Sequence, residues 1–370
     1  MGFSERVGIG IVGFGIGKIY AAAFSSVHYY YRDLPPVELV GIATASPESA
    51  ARAAEHFGFR QQTTDYRDLL SNDDIQAIVV APPNYLHYPV LMDCLETGKA
   101  LYVDKPLANS LDEARAILQR AKARGRDGQM IFEVRFCPAL LRAYELIHSG
   151  QVGEIHAFRA HYYRSSYADT NRPLRWKASQ EKSGTGALGD LGSHLIDLIA
   201  WLVSRPVKLT AQMSILTKER PGEGGKPARV ETDDHVILQA QLASGAQGTI
   251  EAARVFRGAV NDFQIEIYGS RASLRWNMMN PNYLYRGDDQ GWLEIPTVQT
   301  YPDAFLPGAD VPAGLMRYHI ASAAAFLRAT LAGQAYDPGL AQGAQVQAAI
   351  QAALEASQAQ AWVSVPEVEI

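Results

Sequence analysis

The stretch VGIGIVGFGIGKIYAAAF, Val7 to Phe24, governs how the rest of the chain is read. Its opening VGIGIV is an apolar run bounded by glycine, which predicts a buried strand over Val7 to Val12, and the alanine-rich segment from about residue 17 predicts a helix directly after it. Gly13, Phe14, Gly15, Ile16 and Gly17 form the turn between them. A strand, a glycine turn and a helix start bring free backbone N–H groups and the positive end of a helix dipole to one point. That arrangement suits a dinucleotide pyrophosphate. The spacing is shortened: counted from Gly13, the third glycine of GxGxxG would fall at Lys18. A tight turn without a nucleotide also fits these residues taken alone.

Working outward, short β-branched runs alternate with helical stretches up to about residue 135, the pattern of a parallel sheet with crossover helices. Further strands are expected at Val37 to Ala43, Ile75 to Ala81, Ala100 to Val103 and Met130 to Val134. Helices are expected near 17–26, 47–57, 85–97 and 110–124, the last opened by the capping box Ser110 to Glu113. After a helix near 138–149, longer strands follow one another at Glu154 to Tyr163, Val207 to Leu216, Asp234 to Leu242, Ala246 to Val255 and Gln264 to Tyr268. The fold class is therefore α/β: a doubly wound Rossmann unit, residues 1–136, then an α+β unit with a large, mostly antiparallel open sheet, residues 137–370. Lys218 to Asp234, rich in Gly, Pro and charge, reads as a mobile hairpin or loop.

Composition narrows the partners. With 34 basic and 39 acidic residues among 370, there is no basic surface to attract nucleic acid or anionic lipid. No apolar run reaches membrane-spanning length, and the N-terminus lacks signal-peptide order, so a cytoplasmic protein is expected. Cys94 and Cys137 have neither disulfide-framework number nor CxxC spacing, and are expected to be reduced core residues.

Three strings carry the chemistry: APPNYLH (Ala81 to His87), YVDKPLANS (Tyr102 to Ser110) and SGTGALGDLGSHLIDLIAWLV (Ser183 to Val203). At 100° per residue the last places Leu191, Leu195, Leu198 and Leu202 on one helical stripe and Asp190, His194 and Asp197 on the next. With no second histidine–carboxylate cluster following, no metal site is expected, and Asp197 is read as structural. In order along the chain, from about residue 6 to 280, these strings and the glycine turn resemble the motifs of the Gfo/Idh/MocA oxidoreductases: a glycine turn, a TPNxxH-like string, an EKP lysine motif and a GGGxxxDxGxHxxD helix. The departures are Asp104 for glutamate, Ala81-Pro82-Pro83 for the TP pair, Thr185 for the middle glycine, and the shortened turn.

The resemblance implies an NAD(P)-dependent dehydrogenase or reductase acting on a secondary alcohol or ketone of a sugar, polyol or inositol-like compound. Lys105, Asp190 and His194 match its catalytic set. A histidine near neutrality can take the hydroxyl proton, Lys105 can stabilise developing alkoxide, and Asp190 can orient the imidazole or bind a substrate hydroxyl. Cofactor contacts are expected from Gly13, Phe14, Gly15, Ile16, Gly17, Thr44, Ser46, Pro82, Asn84, His87, Asp104 and Lys105. Where a NAD enzyme usually presents an acid after its second strand, this chain has Thr44, Ala45 and Ser46, which tilts the choice slightly toward NADP, with Arg52 the nearest cation. Beside Lys105, Asp190 and His194, Tyr163, Arg164 and Trp176 are expected at the substrate, since aromatic faces and guanidinium groups suit a polyhydroxylated ring; His319 is a further candidate. Relatives often pair through the open sheet faces, which implies a homodimer or homotetramer. The same residues would also serve a redox-assisted glycosidase, and a nucleotide-binding sensor would keep the turn without the catalysis.

Overall fold

The computed structural model describes residues 6–297 and 314–368. Strands β1 (Val7–Val12), β2 (Val37–Ala43), β3 (Gln61–Thr63), β4 (Ala77–Val80), β5 (Ala100–Val103) and β6 (Gln129–Met130) form a parallel sheet in the order β3-β2-β1-β4-β5-β6. Helices α1 (Gly17–Tyr30), α2 (Pro47–Phe57), α3 (Arg67–Leu70), α4 (His87–Cys94) and α5 (Leu111–Arg124) connect them. Every residue of β1 is buried, as a central parallel strand covered on both faces requires. Strand order reverses between β1 and β4, and a doubly wound sheet opens its ligand crevice at the carboxyl ends there. Ser110 Oγ accepts from the Glu113 backbone N–H at 3.2 Å, so the expected cap starts α5.

The strand expected to run to Val134 ends at Met130 instead. The chain winds into a 3₁₀ turn, Glu133–Phe136, and enters α6 (Pro138–His148), whose proline sits in the first turn. This early ending has a functional consequence: it turns Glu133 toward the crevice and Arg135 away from it.

The second sheet contains β7 (Ile155–Tyr163), β8 (Pro206–Ser214), β11 (His235–Leu242), β12 (Gln247–Ala253), β13 (Asp262–Gly269), β14 (Ser273–Asn277), β15 (Tyr283–Asp288), β16 (Gly291–Pro296) and β17 (Val363–Ser364), while β9 (Glu219–Pro221) and β10 (Pro227–Arg229) form a separate hairpin. The order is β16-β15-β14-β13-β7-β12-β11-β8-β17, antiparallel except for the parallel pair β7–β12. Between β7 and β8 come α7 (Gln180–Ser183) and α8 (Ser193–Leu202); α9 (Leu315–Ala332) and α10 (Leu340–Ala359) follow β16. Of the strands after Tyr268, none of which the sequence reading named, β16 is largely exposed and shows no alternation of buried and exposed residues.

Two expectations need correction. The domain division assigned everything after residue 136 to the second unit, yet α9 returns to the first. Ile320, Ala323, Phe326 and Leu327 share a core with Ile9, Ile11 and Phe24, and Tyr102 donates to Ser322 Oγ at 2.8 Å. Its apolar face finds its partner in α1, far away in sequence. The segment Lys218 to Asp234 does form a hairpin, but its end is core rather than loop. Asp233 is buried and accepts from the Gly186 and Leu188 N–H groups at 2.6 and 2.8 Å, and Asp234 pairs with buried Arg254 at 3.1 Å.

Candidate active site

A cavity of about 900 Å³ lies where the crevice of the parallel sheet faces β7 and α8. On the crevice side, Gly13, Phe14, Gly15 and Ile16 form its floor. Gly13 has φ +92°, and a Cβ there would lie 2.3 Å from the Ala81 carbonyl oxygen, so only glycine allows β1 and β4 to approach this closely. Gly15 faces open space. Ile16 offers α1 no side-chain cap, and the first turn carries no acid. An uncapped helix start beside bare backbone is an environment for an anionic group.

Thr44, Pro82, Asn84, Asp104 and Lys105 also line the cavity; three expected cofactor residues do not. Gly17 is buried within α1 against Ile11. Ser46 turns its Oγ to the Ser49 N–H and caps α2, leaving Ala45 and Ser49 at the wall. His87 is fully buried, its ring nitrogens 2.8 and 3.0 Å from the carbonyls of Pro106 and Pro82. It fixes the two loops that carry lining residues without reaching the cavity.

On the opposite wall, residues Leu188–Gly192 are wound as a π-helical turn before α8 begins, so the uniform 100° stepping expected from the sequence holds only beyond it. Lys105 Nζ donates to the Asp190 carbonyl at 2.6 Å and lies 3.4 Å from its Oδ1, while Lys177 Nζ lies 2.8 Å from that same Oδ1. Burial alone would raise the Asp190 carboxyl, but Lys177 and Lys105 outweigh it and hold the group well below the usual carboxylate range. His194, 8% exposed, is pushed down to about 4, chiefly by burial; the Glu133 carboxylate, 4.0 Å from Nδ1, opposes that push and Lys105 adds to it. The imidazole is therefore neutral at pH 7 and able to accept a proton. Its ring meets the rings of Tyr162 and Phe132 edge-on, each at 6.2 Å. Asp104 is held by Tyr20, whose hydroxyl donates to Oδ1 at 2.7 Å. His319, from α9, also lines the cavity and is likewise brought down to about 4, above all by burial. Asp197 points away, in a buried ion pair with Arg135.

Both halves of the chain match known family models: residues 7–132 that of an oxidoreductase family with an NAD-binding Rossmann fold, and residues 140–275 that of the GFO/IDH/MocA C-terminal domain. Over 98% of its length, and 99% of the relative's, the chain is 31% identical to levoglucosan dehydrogenase of Pseudarthrobacter phenanthrenivorans. It belongs to the Gfo/Idh/MocA oxidoreductase family. It is similar to the solved structure of levoglucosan dehydrogenase in complex with NADH and L-sorbose: the TM-score is 0.94, with 31% identity and coverage of 99% of this chain and 100% of that one. Inositol 2-dehydrogenase of Rubrobacter xylanophilus is 26% identical over 85% of this chain and 86% of its own.

Lys105, Asp190 and His194, the residues expected to be catalytic, thus reach one cavity from both sheet units. Arg164 and Trp176, expected at the substrate, line it as well. Tyr163 does not. Side chains alternate along β7, so Tyr162 faces the cavity while Tyr163 points to the open face of the sheet, stacked on His161 at 4.3 Å and donating to Glu251 at 2.7 Å. Of the pair, the sequence reading named the member that faces away from this cavity. It also passed over Glu133, although an acid inside the apolar run MIFEV at the end of a parallel strand was a usable signal. Lys177, next to Trp176 in sequence, is a further lining residue that the sequence reading did not name.

Proposed function

We propose that this family member oxidises a secondary hydroxyl of a sugar or cyclic polyol with a nicotinamide dinucleotide, with Lys105, Asp190 and His194 as its catalytic residues. The observation that carries this reading is a neutral imidazole and an ammonium group, supplied by separate sheet units, lining one cavity with the uncapped start of α1. Gly13, Phe14, Gly15 and Ile16 would hold the pyrophosphate, with Thr44 on the adenosine side and Pro82 and Asn84 farther along the crevice. The bound dinucleotide supplies the hydride acceptor. His194 takes the hydroxyl proton, Lys105 stabilises the negative oxygen as it forms, and Asp190 offers a carboxylate oxygen to a neighbouring hydroxyl. Tyr162, Arg164 and Trp176 supply the aromatic and cationic wall that a polyhydroxylated ring requires.

A panel of levoglucosan, glucose, myo-inositol and glucuronate against NAD and NADP tests the proposal by absorbance of the reduced nicotinamide. One reduced nicotinamide per oxidised product is the expected outcome. Glycoside cleavage with only catalytic cofactor would replace it with redox-neutral elimination, and tight NADH binding without turnover would indicate a sensor.

For the cofactor, NAD(H) is the reading, supported by the relatives solved with NADH, and with weak discrimination against NADP(H). No carboxylate stands after β2 to repel a 2′-phosphate: Thr44 lines the cavity and spends its hydroxyl on the Ser46 carbonyl at 2.8 Å. Thr44→Asp is expected to raise the NAD to NADP ratio of kcat/KM by about 10- to 100-fold, since one carboxylate would both accept from the ribose and repel the phosphate. An unchanged ratio in that variant would remove Thr44 from the adenosine site.

The open face of the second sheet, where His161, Tyr163, His235 and Glu251 form a ring and ion-pair cluster, is proposed as the contact between copies in a cytoplasmic homodimer or homotetramer. Light scattering is expected to give two or four times 40.5 kDa. A monomer at micromolar concentration would refute it.

A further inference from the structure

Two ammonium groups meet one carboxylate at the cavity wall, and they hold it unequally. Lys177 takes Oδ1 at 2.8 Å, whereas Lys105 spends one donor on the Asp190 carbonyl at 2.6 Å and stands 3.4 Å from Oδ1. An ammonium has three donors, so Lys105 keeps capacity for a ligand as long as the carboxylate is occupied elsewhere. We propose that Lys177 is a positioning residue for the oxidation proposed above, on which this role rests: it anchors the Asp190 carboxylate so that the Lys105 ammonium stays available to the substrate oxygen.

The local fold is built to hold Lys177 there. It lies on the 3₁₀ turn Trp176–Ala178, and its own carbonyl accepts from Thr232 Oγ1 at 2.9 Å, Ser183 Oγ at 3.3 Å and Arg254 Nη1 at 3.4 Å. Thr232 and Arg254 belong to the buried end of the hairpin segment and the end of β12, so three separate parts of the second unit converge on one backbone oxygen. The Nζ lies 5.5 Å from the centroid of the Trp176 ring, which flanks the stem. Its side chain is 35% exposed, so what holds Lys177 is the fixed backbone beneath it and the ion pair at its tip. Burial favours the neutral amine, yet the Asp190 carboxylate outweighs it and raises Lys177 above its ordinary value, so the group stays charged.

Without Lys177, Lys105 is the single neighbouring ammonium for Asp190 among the described residues, with Arg254 a weaker charge on it. Closing the 3.4 Å gap would then tie the carboxylate to Lys105 and neutralise the charge that the alkoxide requires. The groups that face Asp190 are Lys177, Lys105 and Arg254, with Tyr162 and His194 beside it. Removing one cation lets burial push the carboxyl upward, so Asp190 takes up its proton at a higher pH.

The test compares wild type, Lys177→Met and Lys177→Arg on the best substrate of the panel, reading kcat, KM, NADH binding by fluorescence and Tm. Lys177→Met is expected to lose about 10- to 100-fold in kcat with a smaller change in KM, a split that a merely structural role would not produce. Lys177→Arg is expected to restore most of kcat, and NADH binding to persist in both. Lys177→Gln replaces the methionine variant if that one does not fold. An unchanged kcat in the methionine variant, or an arginine variant as impaired as methionine at wild-type Tm, overturns the role of Lys177 and leaves the dehydrogenase reading intact. A wild type that turns over no compound of the panel with either nucleotide overturns that reading itself.

Discussion

Replacing His194 with asparagine is expected to lower kcat by about 10²- to 10⁴-fold, the usual contribution of a positioned acid–base group. NADH affinity should change by less than about threefold, because the proposed nucleotide cradle lies on the other unit. The pH profile gives the sharper check. Burial, acting against Glu133 and together with Lys105, brings the His194 imidazole to about 4 from an ordinary 6.5, so the wild-type acid limb of kcat/KM belongs well below pH 6. The sign for stability follows. The folded-state value lies below the unfolded one, so the unfolded chain binds the proton first as pH falls. Stability is lost progressively from about 6.5 down through about 4, and His319, lowered to about 4 by the same cause, adds to the loss. Tm should therefore decline over that window in wild type, and less steeply in His194→Asn. An acid limb at 6.5, or a variant with unaltered kcat, would take the proton-acceptor role away from His194.

What the sequence disclosed and what it hid divide along a physical line. Local signals survived: an apolar run bounded by glycine became β1, Ser110 with Glu113 became a cap, and the spacing of Asp190 and His194 put both on one cavity wall. These depend on residues within a few positions of one another. Tyr163 was misplaced because period two makes neighbouring residues opposites, and nothing local says which member of Tyr162-Tyr163 faces inward. Glu133 was hidden by an expected strand that in fact ends at Met130. The partnership of α9 with α1 and the clamp of Asp233 on the Ser183–Leu188 turn join residues tens to hundreds of positions apart, and periodicity carries no information about them. The π turn is the intermediate case. The glycines of SGTGALGDLG mark an irregular backbone, but that the chain widens there, so that the Asp190 carbonyl meets Lys105 and its carboxylate meets Lys177, emerges only from the packed structure.

Lys105→Met is the second large effect, expected to cost about 10²- to 10³-fold in kcat/KM, the magnitude of losing one preorganised charge at a developing oxyanion. The loss should be shared between kcat and KM, because the ammonium meets the substrate hydroxyl before the oxygen carries charge and holds it more strongly afterwards. Lys105→Arg should rescue little: a planar fork cannot occupy the place of a compact ammonium that is bound to the Asp190 carbonyl at 2.6 Å inside a side chain 14% exposed. The fold should tolerate the change, since Lys177 still pairs with Asp190 and no buried carboxylate is left alone. Catalysis lost at a nearly constant Tm is thus the signature of a reacting-centre charge. A fall in Tm that matched the fall in activity would instead assign Lys105 to holding the two units together. Combining Lys105→Met with His194→Asn separates the two roles: groups acting on one oxygen in one step lose far less together than the product of their separate losses, whereas independent groups multiply.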